Sequence, residues 1–154
     1  MTTRLLVLVL AVATAPILSA QSAQDAVKAT HETLVAAVKS GNLTLVQSLI
    51  HPQAVGFYRA SVRLVELSAN YRAADAIPDV LADLGQFVIV PHETSYRVIG
   101  GTAVVSMATS MQANAEAKKD RVKDRSTRST YVYVAVDGNW KLLSWHTSDT
   151  PLVK

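Results

Sequence analysis

Thr127-Arg128-Ser129-Thr130-Tyr131-Val132-Tyr133-Val134-Ala135-Val136, then Asp137-Gly138, then Asn139-Trp140-Lys141-Leu142-Leu143-Ser144-Trp145-His146-Thr147 form two β-prone runs joined by two residues. Asp-Gly suits the favoured two-residue hairpin turn, whose central positions both need positive φ, so the runs are expected to pair antiparallel. Upstream, Phe87 to Val90, Ser95 to Ile99 and Thr102 to Gln112 are also strand-like, separated by Pro91 and by Gly100-Gly101. The first half reads differently. Ala26, Val27, Leu34, Val35 and Val38 recur at helical spacing over Gln24 to Lys39, with Gly41 as a stop. Asn42 is placed to cap a second, short helix that ends before Pro52. Ala54 to Tyr58 is expected to form a first strand, and Val62 to Tyr71 and Ala73 to Leu84 two further helices, the latter starting near Ala76 or Ile77, with Pro78 close to its start, and stopping at Gly85. Helices first and a run of antiparallel strands after them predict an α+β domain with a curved antiparallel sheet packed on N-terminal helices.

Successive side chains of a strand point to opposite faces. Strict alternation puts Arg128, Thr130, Val132 and Val134 on one face and Ser129, Tyr131 and Tyr133 on the other. In the last strand it puts Trp140, Leu142, Ser144 and His146 opposite Lys141, Leu143, Trp145 and Thr147. Apolar residues on both faces call for cover on both; the helices supply one side, and a second subunit on the outer face, giving a homodimer, is expected to supply the other.

The N-terminus bears on compartment. Arg4, an apolar run from Leu5 to Ala15, Pro16 and small residues at the end have the layout of a secretory signal peptide over residues 1–20, with cleavage after Ala20 or Ala23 and a domain over 24–150. The expected location is secreted or periplasmic, with no stable membrane anchor after cleavage. The chain has no cysteine, which excludes disulfides and a lipid-anchored lipoprotein. The 154 residues carry a formal charge of +3, and loss of Arg4 leaves +2. That is mild basicity. The charged run from Lys118 to Arg125 alternates bases with Asp120 and Asp124 and has no aromatic interleaved, so it is read as a solvated hairpin tip with no nucleic-acid partner.

The ending Asp137-Gly138-Asn139-Trp140-Lys141-Leu142-Leu143-Ser144-Trp145-His146-Thr147-Ser148, with Leu34 to Leu43 as first helix and turn, resembles the nuclear transport factor 2-like superfamily and, within it, the SnoaL-like group. The resemblance spans roughly Gln24 to Ser148. It implies a cone-shaped domain with a cavity between sheet and helices and dimerisation through the outer sheet face. It implies no single activity, since isomerases, cyclases, dehydratases and oligomerisation domains share the scaffold. Ketosteroid isomerases, similar in fold, carry a tyrosine on the first helix, where this chain has Leu34. They carry a general-base carboxylate near the end of the first strand, where it has Tyr58 or a neighbour. The donor and carboxylate that enolisation needs are therefore unmatched.

His146 is the candidate catalytic residue, as an acid/base near the cavity mouth on the face of Trp140 and Leu142. Ser148 shares that face, but serine and histidine without an orienting acid do not make a nucleophile. Tyr58, Arg128 and Trp145 are the candidate ligand-binding residues, with Arg128 as the one charge entering a neutral strand. Tyr58, Tyr96, Tyr131, Tyr133 and Trp145 suit core or dimer interface better than a pocket wall. His31, His51, His92 and His146 lack metal-ligand spacing, and His31-Glu32 by itself indicates nothing, so neither metal nor other cofactor is expected. The leading expectation is an exported protein binding a small organic ligand in an apolar cavity. The alternatives are a cyclase- or dehydratase-like enzyme using His146, and an oligomerisation module.

Overall fold

The computed structural model describes residues 15–57, 64–66, 86–119 and 123–150. The expected helix over Ala73 to Leu84, Tyr58, and the apolar run from Leu5 as far as residue 14 lie outside them. Helix α1 runs Ala15–Lys39 and α2 Leu43–Leu49; strands follow as β1 Ile50–Phe57, β2 Val65–Glu66, β3 Phe87–Ile99 and β4 Thr102–Ala113. A short helix α3, Ala115–Lys119, leads to β5 Arg125–Val136 and β6 Asn139–Thr150. The strands form one six-stranded sheet in the order β2-β1-β6-β5-β4-β3. Neighbours are antiparallel except β1 and β6, which pair in parallel, so the sheet is mixed where the hairpin pattern alone gave an antiparallel one.

Local chemistry accounts for the joints. Asp137 and Gly138 have φ of 50° and 77°, the two positive values that the tight turn between β5 and β6 requires. Gly41, at φ 67°, ends the turn after α1, where a side chain would be strained. Asn42 then caps α2, its side-chain oxygen accepting from the Leu45 amide at 3.1 Å. Asn42→Ala is expected to lower the unfolding free energy by about 1 kcal/mol, measured by chemical denaturation, since an N-terminal amide of the helix loses its partner.

The core lies between α1, α2 and the inner sheet face. Val27, His31, Leu34 and Ala37 line one side of α1 at helical spacing, all buried, and meet Val46, Ile50, Ala54, Ala103, Val105, Tyr133 and Leu142. A smaller cluster, Phe87, Met111, Ala113 and Ala117, closes the far end, with the Arg125 guanidinium 3.9 Å from the centre of the Phe87 ring. Among the described residues no helix is long and apolar enough to cross a membrane.

Three expectations about these elements are corrected. Phe87 to Val90 and Ser95 to Ile99 are one strand: Pro91 does not end it, because β3 is an edge strand that tolerates a missing donor, and the ladder resumes after a bulge at His92-Glu93. Val65 and Glu66, placed in a helix by periodicity, pair with Gly56 and Val55 as β2. The first strand starts at Ile50, before Pro52, since the chain passes directly from α2 into β1. The charged run lies between antiparallel β4 and β5 with Lys118, Lys119, Lys123 and Asp124 exposed, as a solvated hairpin tip; α3 occupies its start, with Lys119 and Glu116 paired at 2.7 Å, and the Asp124 carboxylate accepts from the Ala113 amide at 2.9 Å.

Candidate functional site

Register stacks the inner-face residues into rows across the sheet. One row is Tyr96, Val105, Tyr131 and Trp145, extended to Gly56 of β1. The row on one side is Val98, Ala103, Tyr133 and Leu142, and on the other Thr94, Met107, Ser129 and Thr147. His31 comes down from α1 onto these rows. Its ring centre lies 4.7 Å from that of Tyr131, 6.0 Å from Tyr133 and 6.2 Å from Tyr96, each edge to face. Its Nδ1 is 2.8 Å from the Tyr133 hydroxyl. Tyr131 in turn stacks on Trp145, with the planes 8° apart and the centres at 5.9 Å. The Trp145 indole donates to the Thr147 hydroxyl at 2.6 Å, and Thr147 shares a 2.8 Å hydrogen bond with Ser129.

The charge state follows from burial. Desolvation lowers the His31 pKa, against a smaller opposing pull from the Glu32 carboxylate, so the imidazole is neutral near pH 7. Burial pushes the Tyr133 phenol far up, with the neighbouring Tyr131 and Tyr96 adding to it, and raises Tyr131 and Tyr96 as well. For Tyr131 the hydrogen bonds with Ser129, Thr147 and Trp145 oppose the rise. The phenols therefore stay protonated. In either tautomer the Tyr133 bond engages only Nδ1 of His31, so Nε2 offers one further donor or acceptor on the inner face. Tyr96, Tyr131 and Trp145 remain half-buried around it, an aromatic patch between the row of Val98, Ala103 and Leu142 and the more polar row of Thr94, Ser129 and Thr147.

Of the residues singled out from sequence, Trp145 lies on this inner face. Arg128 does not: it is exposed on the outer face, opposite Ala108 and Ser148. His146 is also exposed and outward, opposite Thr130, with its ring 6.2 Å from Phe57. The cause is a bulge. Tyr133 pairs with Leu142 and Val132 with Ser144, so Leu143 is an extra residue and the pleat changes phase there. Leu142 points in, but so does Trp145, while His146 points out, against strict alternation. Tyr58 lies outside the described residues.

His31, the centre of the site, has no metal-ligand spacing in the sequence and does not stand out as a ligand there. The signal available was its spacing from Val27 and Leu34, four and three residues away on the apolar stripe of α1. A histidine there must be buried with a partner. Among the described residues no group of three His, Cys, Asp or Glu side chains is placed to hold a metal ion.

Comparison with known proteins agrees with this architecture. A candidate ketosteroid isomerase from Shewanella frigidimarina NCIMB 400 superposes with a TM-score of 0.65 at 20% identity, over 77% of this chain and 91% of that one. A candidate dehydratase of the nuclear transport factor 2-like family from Streptomyces avermitilis gives 0.64 at 16% identity, over 85% and 98%. The calcium/calmodulin-dependent protein kinase II hub of S. rosetta gives 0.64 at 22%, over 82% and 96%. At these identities the likeness establishes the fold, nuclear transport factor 2-like, and the neighbours' differing descriptions carry no common activity. No curated protein sequence matches the chain. The sequence model of the SnoaL-like domain matches residues 27–153, from the first buried residue of α1 to beyond β6, and the chain belongs to the SnoaL-like domain family.

Proposed function

We propose that this domain binds a small, uncharged, flat organic molecule bearing a carbonyl or hydroxyl group, held against the inner sheet face beside His31. The observation that carries the reading is the neutral His31 set among Tyr96, Tyr131 and Tyr133, next to the Tyr131–Trp145 stack. Rings give a flat ligand contact area and edge or face geometry, while Nε2 of His31 and the Tyr96 hydroxyl give it one or two directional hydrogen bonds. Among the described residues the groups that pack on His31 are neutral, so a charged ligand held against them would leave its hydration shell without an opposite charge in contact, which costs several kcal/mol, of order 2–7 even for an uncharged polar group left unpaired.

A second reading rests on the His31–Tyr133 pair itself. A neutral imidazole hydrogen-bonded to a phenol is able to accept or return a proton at its far nitrogen, so the same site supports acid/base chemistry of the cyclase or dehydratase kind. We further propose, from the layout of residues 1–20, that the protein is exported; an N-terminal sequence of the secreted protein beginning near residue 21 or 24 is the expected result.

Thermal denaturation of the full chain against uncharged polycyclic ketones and phenols, with their carboxylated counterparts in parallel, tests the binding reading. An uncharged compound is expected to raise Tm and quench Trp145 fluorescence, and Trp145→Ala to remove at least nine-tenths of the Tm shift. Stabilisation by the carboxylated series alone sinks this assignment. Turnover of a bound compound that disappears in His31→Gln with binding retained selects the enzyme reading.

A further inference from the structure

Strand β3 forms one edge of the sheet, and on its far side no strand pairs with it among the described residues. Such an edge presents a row of amide and carbonyl groups ready to pair with another strand. The first half of β3 is guarded by the devices that edges commonly carry: Pro91, which has no amide hydrogen, and a bulge in which His92 and Glu93 together face Ala108 of β4. From Thr94, next after the bulge, to Ile99 the strand is regular, free of proline and mostly exposed, with Ile99 at 80% exposure.

The sequence of that half, Glu93-Thr94-Ser95-Tyr96-Arg97, is self-complementary in charge about Ser95. Thr94 and Tyr96 stand opposite Met107 and Val105 on the inner side, so Glu93, Ser95 and Arg97 share the outer face, with Ser95 and Arg97 opposite Ser106 and Val104. An antiparallel second copy related by a two-fold axis at Ser95 places Glu93 opposite the partner's Arg97, and Arg97 opposite the partner's Glu93. Directly opposed charges of unlike sign stabilise an antiparallel pair, and like charges oppose it. A parallel copy in the same register sets Glu93 against the partner's Glu93, and any one-residue slip moves the charges to opposite faces. The charge pattern thus selects one orientation and one register.

We infer that the Glu93–Arg97 edge of β3 is a self-association site, at which two copies pair antiparallel and join their sheets into one. This inference is independent of the ligand reading, and it differs from the outer-face dimer expected from family resemblance. Sedimentation velocity of the full chain over a concentration series measures it. Arg97→Glu, which creates two like-charge pairs, is expected to raise the dimer dissociation constant at least tenfold. The exchange Glu93→Arg with Arg97→Glu is expected to restore it to within about threefold of the parent, which a general loss of folding could not do. Val132→Arg, on the outer face, is expected to leave association unchanged. A parent chain monomeric at all concentrations, an unaltered dissociation constant in Arg97→Glu, no recovery in the exchanged pair, or a dimer lost only with Val132→Arg overturns the inference.

Discussion

Tyr133→Ala is expected to lower the unfolding free energy by about 3–5 kcal/mol, the range for removing a large buried aromatic side chain. Tyr133 is fully buried at the centre of the inner face, in the row of Ala103 and Leu142. Two costs combine: a cavity in a face that the sheet ladder holds rigid, and the loss of the 2.8 Å hydrogen bond to His31. Tyr133→Phe separates them. It keeps the ring and leaves Nδ1 of a buried imidazole unpaired, for an expected loss of about 1–3 kcal/mol. Combining Tyr133→Phe with His31→Leu is expected to cost less than the sum of the singles, because once the imidazole is gone the hydroxyl no longer serves it. Urea denaturation of the four proteins measures the cycle; additive losses would show that the pair contributes packing and no coupling. Against a typical total of 5–15 kcal/mol, Tyr133→Ala alone takes a large share of the stability.

The second large effect is a dependence of stability on pH set by His31. Its pKa is lowered in the fold and close to 6.5 in the unfolded chain, so between the two values the unfolded state binds more protons. Stability therefore rises with pH in that interval and levels off above about 6.5, where the ring is neutral in both states. Going down from pH 7.5, the loss begins as the pH passes 6.5 and continues to the folded-state pKa, at no more than about 1.4 kcal/mol per pH unit. In His31→Leu this component is expected to vanish, so the difference between the two Tm profiles between pH 5 and 8 isolates it from the other histidines. Parallel profiles would mean that the ring titrates in the fold as it does in the unfolded chain, contrary to the desolvated site from which the ligand class was argued.

Local rules were sufficient wherever the conformation depends on neighbours in the chain. Asp137-Gly138 dictated its hairpin, Gly41 and Asn42 the passage from α1 to α2, and the helical spacing the buried side of α1. The family resemblance, carried by the last strand, is borne out by the matching family and fold. The site was less legible. A sequence shows that His146 stands four residues after Leu142, but not that Leu143 is bulged out between them, since a bulge is a property of two paired strands. That single extra residue exchanged the faces of Trp145 and His146 and moved the centre of the site from the last strand to α1.

The sequence by itself determined the class of fold, the places where it turns and the apolar stripe that holds α1 to the sheet, because these follow from backbone sterics and side-chain periodicity. The tertiary structure alone decided that β1 joins the sheet in parallel beside β6, and that β3 is the last strand of the sheet among the described residues. It alone brought His31 and Tyr133, 102 residues apart, to within 2.8 Å. The physical reason is common to all three: strand partners, edges and buried hydrogen bonds are set by which distant segments share the inner face, and the free energy of that choice resides in the contacts between them.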